Sequence, residues 1–432
     1  MRIQLDRPAP RTALLLGAIA ACAVWFTACK DEIADPIFGR LDVALTSPTA
    51  GGFEGGKIWM GDSLLVADVD RNAYSFVLPV GSARIRFEKD CSEISPSSEL
   101  EVEIDPGTTR DVRWDVAIAD GGVEVTSSMR GAAIALDGEP TGEVTPATLT
   151  CLEPGPHTVS VELFGADAVA PKDIDVSSGV QQVSFQLEPL SQSRGAVMEV
   201  ITATNCPNCG PVDAAAESLW TQTDLFSRGA FSIQIHTRWS IVDVFHTQST
   251  LDRNLYYGDQ ERQGLPWRIT NGMTAARGAG SGNIPNLIQA MRGEVEPFLD
   301  GDHGAPIAAL YWTNTYRNAG QNVGGTLRVV MLADADAPED TEVLGLDYKD
   351  RLVTFVAIHG RDETFYRVVR NIDSAGTLAD LGLLHRGDWV DLDFQFDVSW
   401  DTDWTEEGMG LVALVQNLAT DEIYQAVHVY LP

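Results

Sequence analysis

Ala196-Val197-Met198-Glu199-Val200-Ile201-Thr202-Ala203-Thr204-Asn205-Cys206-Pro207-Asn208-Cys209-Gly210-Pro211 is the stretch on which the reading of this chain turns. Its first seven residues are mostly apolar and end in a polar turn, the signature of a buried strand. Beyond it, Val212, Ala215, Ala216, Leu219 and Phe226 recur at helical spacing, and Pro211 suits the first turn of that helix. The cysteine pair therefore sits where a strand hands over to a helix N-terminus. There the positive end of the helix dipole and the free amides stabilise a thiolate. Cys206, the outer residue, is the expected nucleophile of thiol–disulfide exchange, and Cys209, inside the first turn, the expected resolving thiol.

Working outward, Ala230–His236 reads as an apolar strand, Leu251–Gln263 as helix-compatible, and Trp267–Thr270 as a short strand. Asn271-Gly272 fits a hairpin turn. Ile284–Leu299 carries Leu287, Ile288, Met291, Val295 and Phe298 on one side of a helix. The cysteine turn, followed by Gly264-Leu265-Pro266-Trp267, resembles the thioredoxin superfamily, which keeps a cis-proline facing its disulfide. That resemblance makes Pro266 the candidate. A closer resemblance, spanning residues 196–432, is to thioredoxin-like outer-membrane lipoproteins. It rests on Met198-Glu199-Val200, the Cys206 turn, Ile233-Gln234-Ile235-His236, and a final Leu414-Val415-Gln416-Asn417 with Tyr424-Gln425-Ala426. It implies a Cys206–Cys209 disulfide with catalytic Cys206, Cys209 and Pro266. Glu199 joins them as a buried carboxylate able to tune proton transfer at Cys209, although an alternating strand equally allows it to face outward. Asn205 stands where that family places an aromatic, commonly Trp.

After Gly301–Pro306 the chain turns β-rich. Val390, Leu392, Phe394, Phe396 and Val398 alternate with Asp391, Asp393, Gln395 and Asp397, which marks a half-buried strand. Further strands at Ile307–Thr313, Leu327–Ala333, Leu352–His359, Leu411–Gln416 and Ile423–Tyr430 lead to an expected immunoglobulin-like sandwich over 306–432.

Residues 39–190 hold an internal repeat. Leu78-Pro79-Val80-Gly81 aligns with Leu152-Glu153-Pro154-Gly155, and each copy ends in an alternating strand, Val112-x-Trp114-x-Val116 and Val183-x-Phe185-x-Leu187. The second copy, residues 121–190, resembles a PEGA domain through Gly131-Ala132-Ala133-Ile134-Ala135-Leu136-Asp137-Gly138, Thr145-Pro146-Ala147 and His157-Thr158-Val159. The first, 39–118, is a divergent copy with an insertion around Gly51–Gly56. PEGA domains are mostly spacers or adhesion-type modules of envelope proteins, which implies presentation rather than chemistry. A polar linker, 191–195, then precedes the central domain.

At the N-terminus, Arg2, Arg7 and Arg11 precede an apolar run beginning at Thr12, an export signal. Small residues stand ahead of both Cys22 and Cys29, as in a bacterial lipobox. Lys30, Asp31 and Glu32 follow Cys29, whereas the chain stays apolar after Cys22. Cys29 is therefore the expected lipidation site, with 1–28 a signal peptide and 29–38 a tether. The alternative, an uncleaved anchor, needs ~20 apolar residues, more than this run supplies. The formal charge is −32; nucleic acid is an improbable partner for such a chain. Attachment to a membrane would rest on the lipid.

Several bland readings compete. The pair could be half a zinc site, but the sequence holds no second Cys-x-x-Cys to complete four ligands. It could be a purely structural disulfide, as export permits; Cys91 and Cys151 could likewise be bridged or be buried thiols. His236, Asp243 and His246 could ligate a metal, though solvated loop residues are the simpler reading, and Asp397, Asp401 and Asp403 fit an acidic surface better than a calcium loop. The expected fold class is multidomain α+β: two small PEGA-like β sandwiches, a thioredoxin-like α/β domain at 196–300, and an immunoglobulin-like β sandwich at 306–432. The expected function is thiol–disulfide exchange by an outer-membrane lipoprotein facing periplasm or cell surface, with no cofactor or metal. Its partners would be protein thiols or disulfides, or other envelope proteins, with the membrane held through the lipid. The alternative is a non-catalytic binding or structural lipoprotein.

Overall fold

Period-two alternation dominates the chain, and strand accounts for 54% of it against 12% helix. The computed structural model describes residues 38–48, 52–119, 121–177, 179–222, 224–238, 243–258, 264–280, 282–318, 321–356, 359–399 and 408–431. The signal segment, Cys22, Cys29, the tether, Asp401 and Asp403 lie outside them. The chain divides after Ala119 into two compact units.

The first unit comprises β1 (Phe38–Thr46), β2 (Lys57–Met60), β3 (Ser63–Val66), β4 (Ala73–Pro79), β5 (Gly81–Glu88), β6 (Ser92–Ser95), β7 (Glu99–Ile104) and β8 (Thr109–Ile118). They form two four-stranded sheets, β4-β1-β8-β6 and β3-β2-β5-β7. Val112, Trp114 and Val116 point inward from β8, and Trp114 stacks on Phe87 at 5.7 Å.

The second unit opens with the repeat's other copy: β9 (Gly121–Ser127), β10 (Ala133–Leu136), β11 (Glu139–Val144), β12 (Ala147–Leu152), β13 (Gly155–Glu162), β14 (Lys172–Val176) and β15 (Gly179–Phe185). Its sheets, β12-β9-β15 and β11-β10-β13-β14, repeat the strand order of the first unit, which adds only β6. In both copies the first strand pairs antiparallel with the fourth and parallel with the last. The aligned glycines agree in backbone, φ being 129° at Gly81 and 139° at Gly155.

The rest of the second unit carries β16 (Ala196–Thr202), α1 (Gly210–Gln222), β17 (Ala230–His236), α2 (Gln248–Tyr256), β18 (Trp267–Thr270), β19 (Thr274–Arg277) and α3 (Ile284–Leu299). It continues through β20 (Ala308–Asn318), β21 (Asn322–Met331), β22 (Thr341–Val356), β23 (Arg361–Thr377), β24 (Trp389–Asp397), β25 (Met409–Asn417) and β26 (Ile423–Tyr430). Here the fold departs from expectation. Among the described residues there is no separate thioredoxin-like α/β domain beside a separate immunoglobulin-like sandwich, and the fold is mostly β rather than α+β. A single eight-stranded sheet, β19-β18-β16-β17-β23-β22-β25-β26, runs through both regions. The physical reason lies at β17. Every residue of this strand is buried, and its outer edge, which a separate domain would leave as unpaired amides and carbonyls, meets β23 at Gln234–Val368. Sequence periodicity reports which face of a strand is apolar, not which strand lies beside it.

Three apolar layers follow from this sheet. Val197, Ile201, Phe231, Leu346 and Leu414 face one core, Met198 and Val200 face α1 and α3, and Val343, Leu411 and Ala413 face the three-stranded sheet β20-β21-β24. The second repeat copy is packed against this body: Ala309 and Val330 share a core with Val123, Ile134 and Phe185. Residues 191–195 are tied down as well. The buried Arg194 donates to Glu422 at 2.8 Å and to the carbonyls of His303 and Ile423 at 2.6 and 2.7 Å.

Candidate functional site

At the end of β16 the chain turns through the cysteine pair into α1. The Cys206 amide donates to the Ala203 carbonyl at 3.1 Å, and the Cys209 carbonyl accepts from the amides of Val212 and Asp213 at 2.8 and 3.0 Å. These bonds fix both cysteines, which form a disulfide with Cα atoms 5.4 Å apart, an ordinary span for such a bridge. Both are buried, Cys206 at 2% and Cys209 at 1% exposure, within the apolar core that includes Ile201, Ile235 and Trp267. The outer position expected for Cys206 is thus not a solvent-exposed one. Pro266 is buried and the Leu265–Pro266 bond is cis; its neighbours Leu265 and Trp267 belong to the same core as the bridge.

Glu199 is buried, but its carboxylate is committed to α2. Arg253 grips it with two bonds, Nε to Oε1 at 2.7 Å and Nη2 to Oε2 at 2.9 Å, and the Tyr257 hydroxyl donates to Oε2 at 2.5 Å. Arg253 Nη1 also donates to Gln416 Oε1 at 2.7 Å. The pairing raises the guanidinium further above its usual pKa, and burial pushes the Tyr257 hydroxyl up. A carboxylate so satisfied anchors α2 to β16 and β25.

A second polar group lies under the disulfide turn. Asp243 and His236 are wholly buried and paired, Nδ1 to Oδ2 at 3.1 Å, rather than standing in solvent. The same carboxylate accepts the amides of Thr204 and Phe245 at 2.5 and 2.7 Å, holding the disulfide turn to β17. These contacts hold the Asp243 carboxyl below its usual range. Asp213, in the first turn of α1, accepts from the Thr202 hydroxyl through Oδ2 at 3.1 Å, while its Oδ1 has no hydrogen-bond partner. Burial pushes this carboxyl up to about 7. Asp213 lines a cleft of about 660 Å³ between α1 and the start of β23, together with Pro207, Ala214, Glu217, Glu363 and Tyr366.

The structure therefore brings Cys206 and Cys209 together, sets Pro266 between two core residues, and directs Glu199 toward Arg253. Among the described residues no cluster of three or more His, Cys, Asp or Glu side chains is arranged to hold a metal ion. Arg253, Tyr257 and Asp213 escaped the sequence reading. The one available signal was Glu199 itself, since a carboxylate inside an apolar strand requires a buried cationic partner.

Residues 121–188 match the PEGA domain. No curated protein matches the chain significantly. Among solved structures, a protein of Agrobacterium tumefaciens is 13% identical over 56% of this chain and 96% of its own, with a TM-score of 0.36. HBP35 of Porphyromonas gingivalis is 15% identical over 56% of this chain and 76% of its own, TM-score 0.39. A domain of the outer membrane lipoprotein Omp28 of the same organism is 16% identical over 29% of this chain and 88% of its own, TM-score 0.19. At these identities and TM-scores the likenesses decide nothing about activity. No described helix is long and apolar enough to cross a membrane.

Proposed function

We propose that this chain is a non-catalytic structural or binding lipoprotein of the bacterial cell envelope, attached through Cys29, in which Cys206–Cys209 is a structural disulfide. The burial of both cysteines in a core shared with the eight-stranded sheet is the observation that carries the reading. An exchange enzyme has to present one sulfur to a partner protein, and Asn205 removes the aromatic that would help dock one. The PEGA match supports a presenting role, as does the hydrogen-bonded junction at the buried Arg194. The strand order shared by both copies supports reading 39–118 as a second, divergent PEGA-like module. The lipobox pattern and the disulfide fit an exported protein.

The test is partner trapping. A Cys209→Ala variant produced in cells and quenched with acid should yield few reducible adducts on non-reducing electrophoresis, no more than Cys206→Ala. Abundant adducts from Cys209→Ala alone would establish thiol–disulfide exchange through Cys206 and overturn the structural reading.

A further inference from the structure

One end of the second repeat copy is closed by a histidine. The turn Asp137-Gly138 joins β10 to β11, and Glu153-Pro154 leads from β12 into β13. Asp137 and Gly138 adopt φ 53° and 86°, the left-handed pair of a tight hairpin. This turn fixes the Asp137 carboxylate: Oδ1 accepts the Thr158 amide at 2.7 Å, and the Asp137 amide donates to the Thr158 carbonyl at 2.8 Å. His157 of β13 stands between the two turns, its Nδ1 2.7 Å from Asp137 Oδ2 and its Nε2 2.9 Å from the Glu153 carbonyl. While Asp137 is ionised both of these oxygens can only accept, so both ring nitrogens must donate. A neutral imidazole has a single N–H, and only the imidazolium satisfies the two contacts. The hydrogen bonds to Asp137 and to the Glu153 carbonyl, with the negative charges of both acids, hold the ring's pKa above the ordinary 6.5 against the opposing effect of burial. From β14 its cross-strand neighbour is Ile174; Asp173 and Asp175 stand opposite Thr158 and Pro156, and Asp173 accepts the Thr158 hydroxyl at 2.9 Å. The first copy has Ala83 two residues after the aligned glycine, where the second has His157, and keeps the same strand order. The fold itself therefore does not require this clasp.

We propose that His157 is a pH-operated latch on the second copy: the imidazolium ties the β10–β11 turn to the β12–β13 turn, and loss of the Nε2 proton releases the Glu153 carbonyl. Nδ1 keeps its proton because it faces the carboxylate. A folded pKa above the unfolded one makes the clasp complete below about 6.5 and lost as pH rises through the folded value, while Asp137, held below its usual range by the same contacts, stays ionised. This end of the copy is thus closed in acid and open in alkali, whatever the role of the disulfide.

Recording the ring-nitrogen magnetic resonances of the purified full chain between about pH 5 and about pH 9 tests this, the His157 signals being identified by their loss in His157→Ala. His157 is expected to titrate above 6.5, and Asp137→Asn to bring it back toward that value. In the same samples, amide exchange over residues 152–158, corrected for the intrinsic effect of pH, should quicken as His157 loses its proton, whereas His157→Ala should show the fast rate at every pH. Titration of His157 at or below 6.5, an unshifted titration in Asp137→Asn, or corrected exchange in the parent chain that does not follow the titration would each overturn the proposal. A pH-dependent rise in exchange persisting in His157→Ala would overturn it too, by placing the titrating group elsewhere. None of these outcomes bears on the cysteine-trapping experiment, so the two readings fail separately.

Discussion

Arg253 of α2 and Glu199 of β16 form a bidentate ion pair with both side chains at 5% exposure or less. Removing one partner leaves the other charge buried and alone. Glu199→Ala and Arg253→Ala are each expected to lower unfolding free energy by ~3–5 kcal/mol, while Glu199→Gln with Arg253→Met should recover much of the loss. Urea denaturation of the single and double variants gives the coupling; additive losses would show that the pair does not act as a unit.

The disulfide closes a ring between residues only three apart, so its effect on unfolded-chain entropy is small, about 2 kcal/mol. Cys206→Ala with Cys209→Ala should therefore fold cooperatively with a modest fall in urea midpoint. Loss of the cooperative transition would mean that the bridge is required to assemble the core around it.

These two groups mark what the sequence made legible. The bounds of β16, β17, β18 and α3 coincide with the sequence reading because each is a run of one period bounded by turn residues. The 17-residue β23 went unread, since its buried face includes Arg367 and Arg370 and a strand carrying buried arginines does not show apolar alternation. The continuous sheet was not legible either, because it depends on Gln234 meeting Val368, which all the elements from α2 to β22 separate along the chain. Glu199 was singled out with burial and an outward orientation both left open, and nothing in the local pattern singled out Arg253 among 30 Lys and Arg residues.

His428 lies between Phe226 and Phe231, and burial, with Arg367 nearby, lowers its pKa from 6.5 to about 4. The folded state thus holds a proton less readily than the unfolded one. Its contribution is intact above about 6.5 and is lost as pH falls toward 4. His428→Phe should flatten the acid-side decline of melting temperature measured between about pH 7 and pH 5; an unchanged slope would assign that decline to other groups.

Asp213 has the opposite sign. Its folded pKa of about 7 exceeds the unfolded 3.8, so the folded state holds the proton more tightly. The penalty is complete above about 7 and fades as pH falls toward 3.8. Asp213→Asn should stabilise the chain at about pH 8 and make little difference near pH 4, measured by urea midpoints at both values. Equal effects at both would indicate that the substitution acts through the Thr202 hydrogen bond instead of the charge.

Gly131 and Trp389 meet where the PEGA copy packs on the body. The Trp389 indole donates from Nε1 to the Arg130 carbonyl at 2.6 Å, and Arg328 lies 4.3 Å from the ring centroid on its face. Gly131 adopts φ 80°, and a Cβ there would stand 2.7 Å from the Trp389 ring. Gly131→Ala thus combines a left-handed backbone penalty of about 1–2 kcal/mol with a clash that only movement of the indole relieves. Since Ala309 and Val330 share their core with Val123 and Phe185, that movement should loosen the junction without unfolding either side. The expected result is faster amide exchange in β20, β21 and β9, and faster proteolysis at residues 191–195, with exchange at β16 and β25 unchanged. Gly131→Ala with Trp389→Ala removes the clash but also the indole contact, so it should restore part of the protection only. Protection in Gly131→Ala equal to that of the parent chain would show that the junction does not depend on this contact.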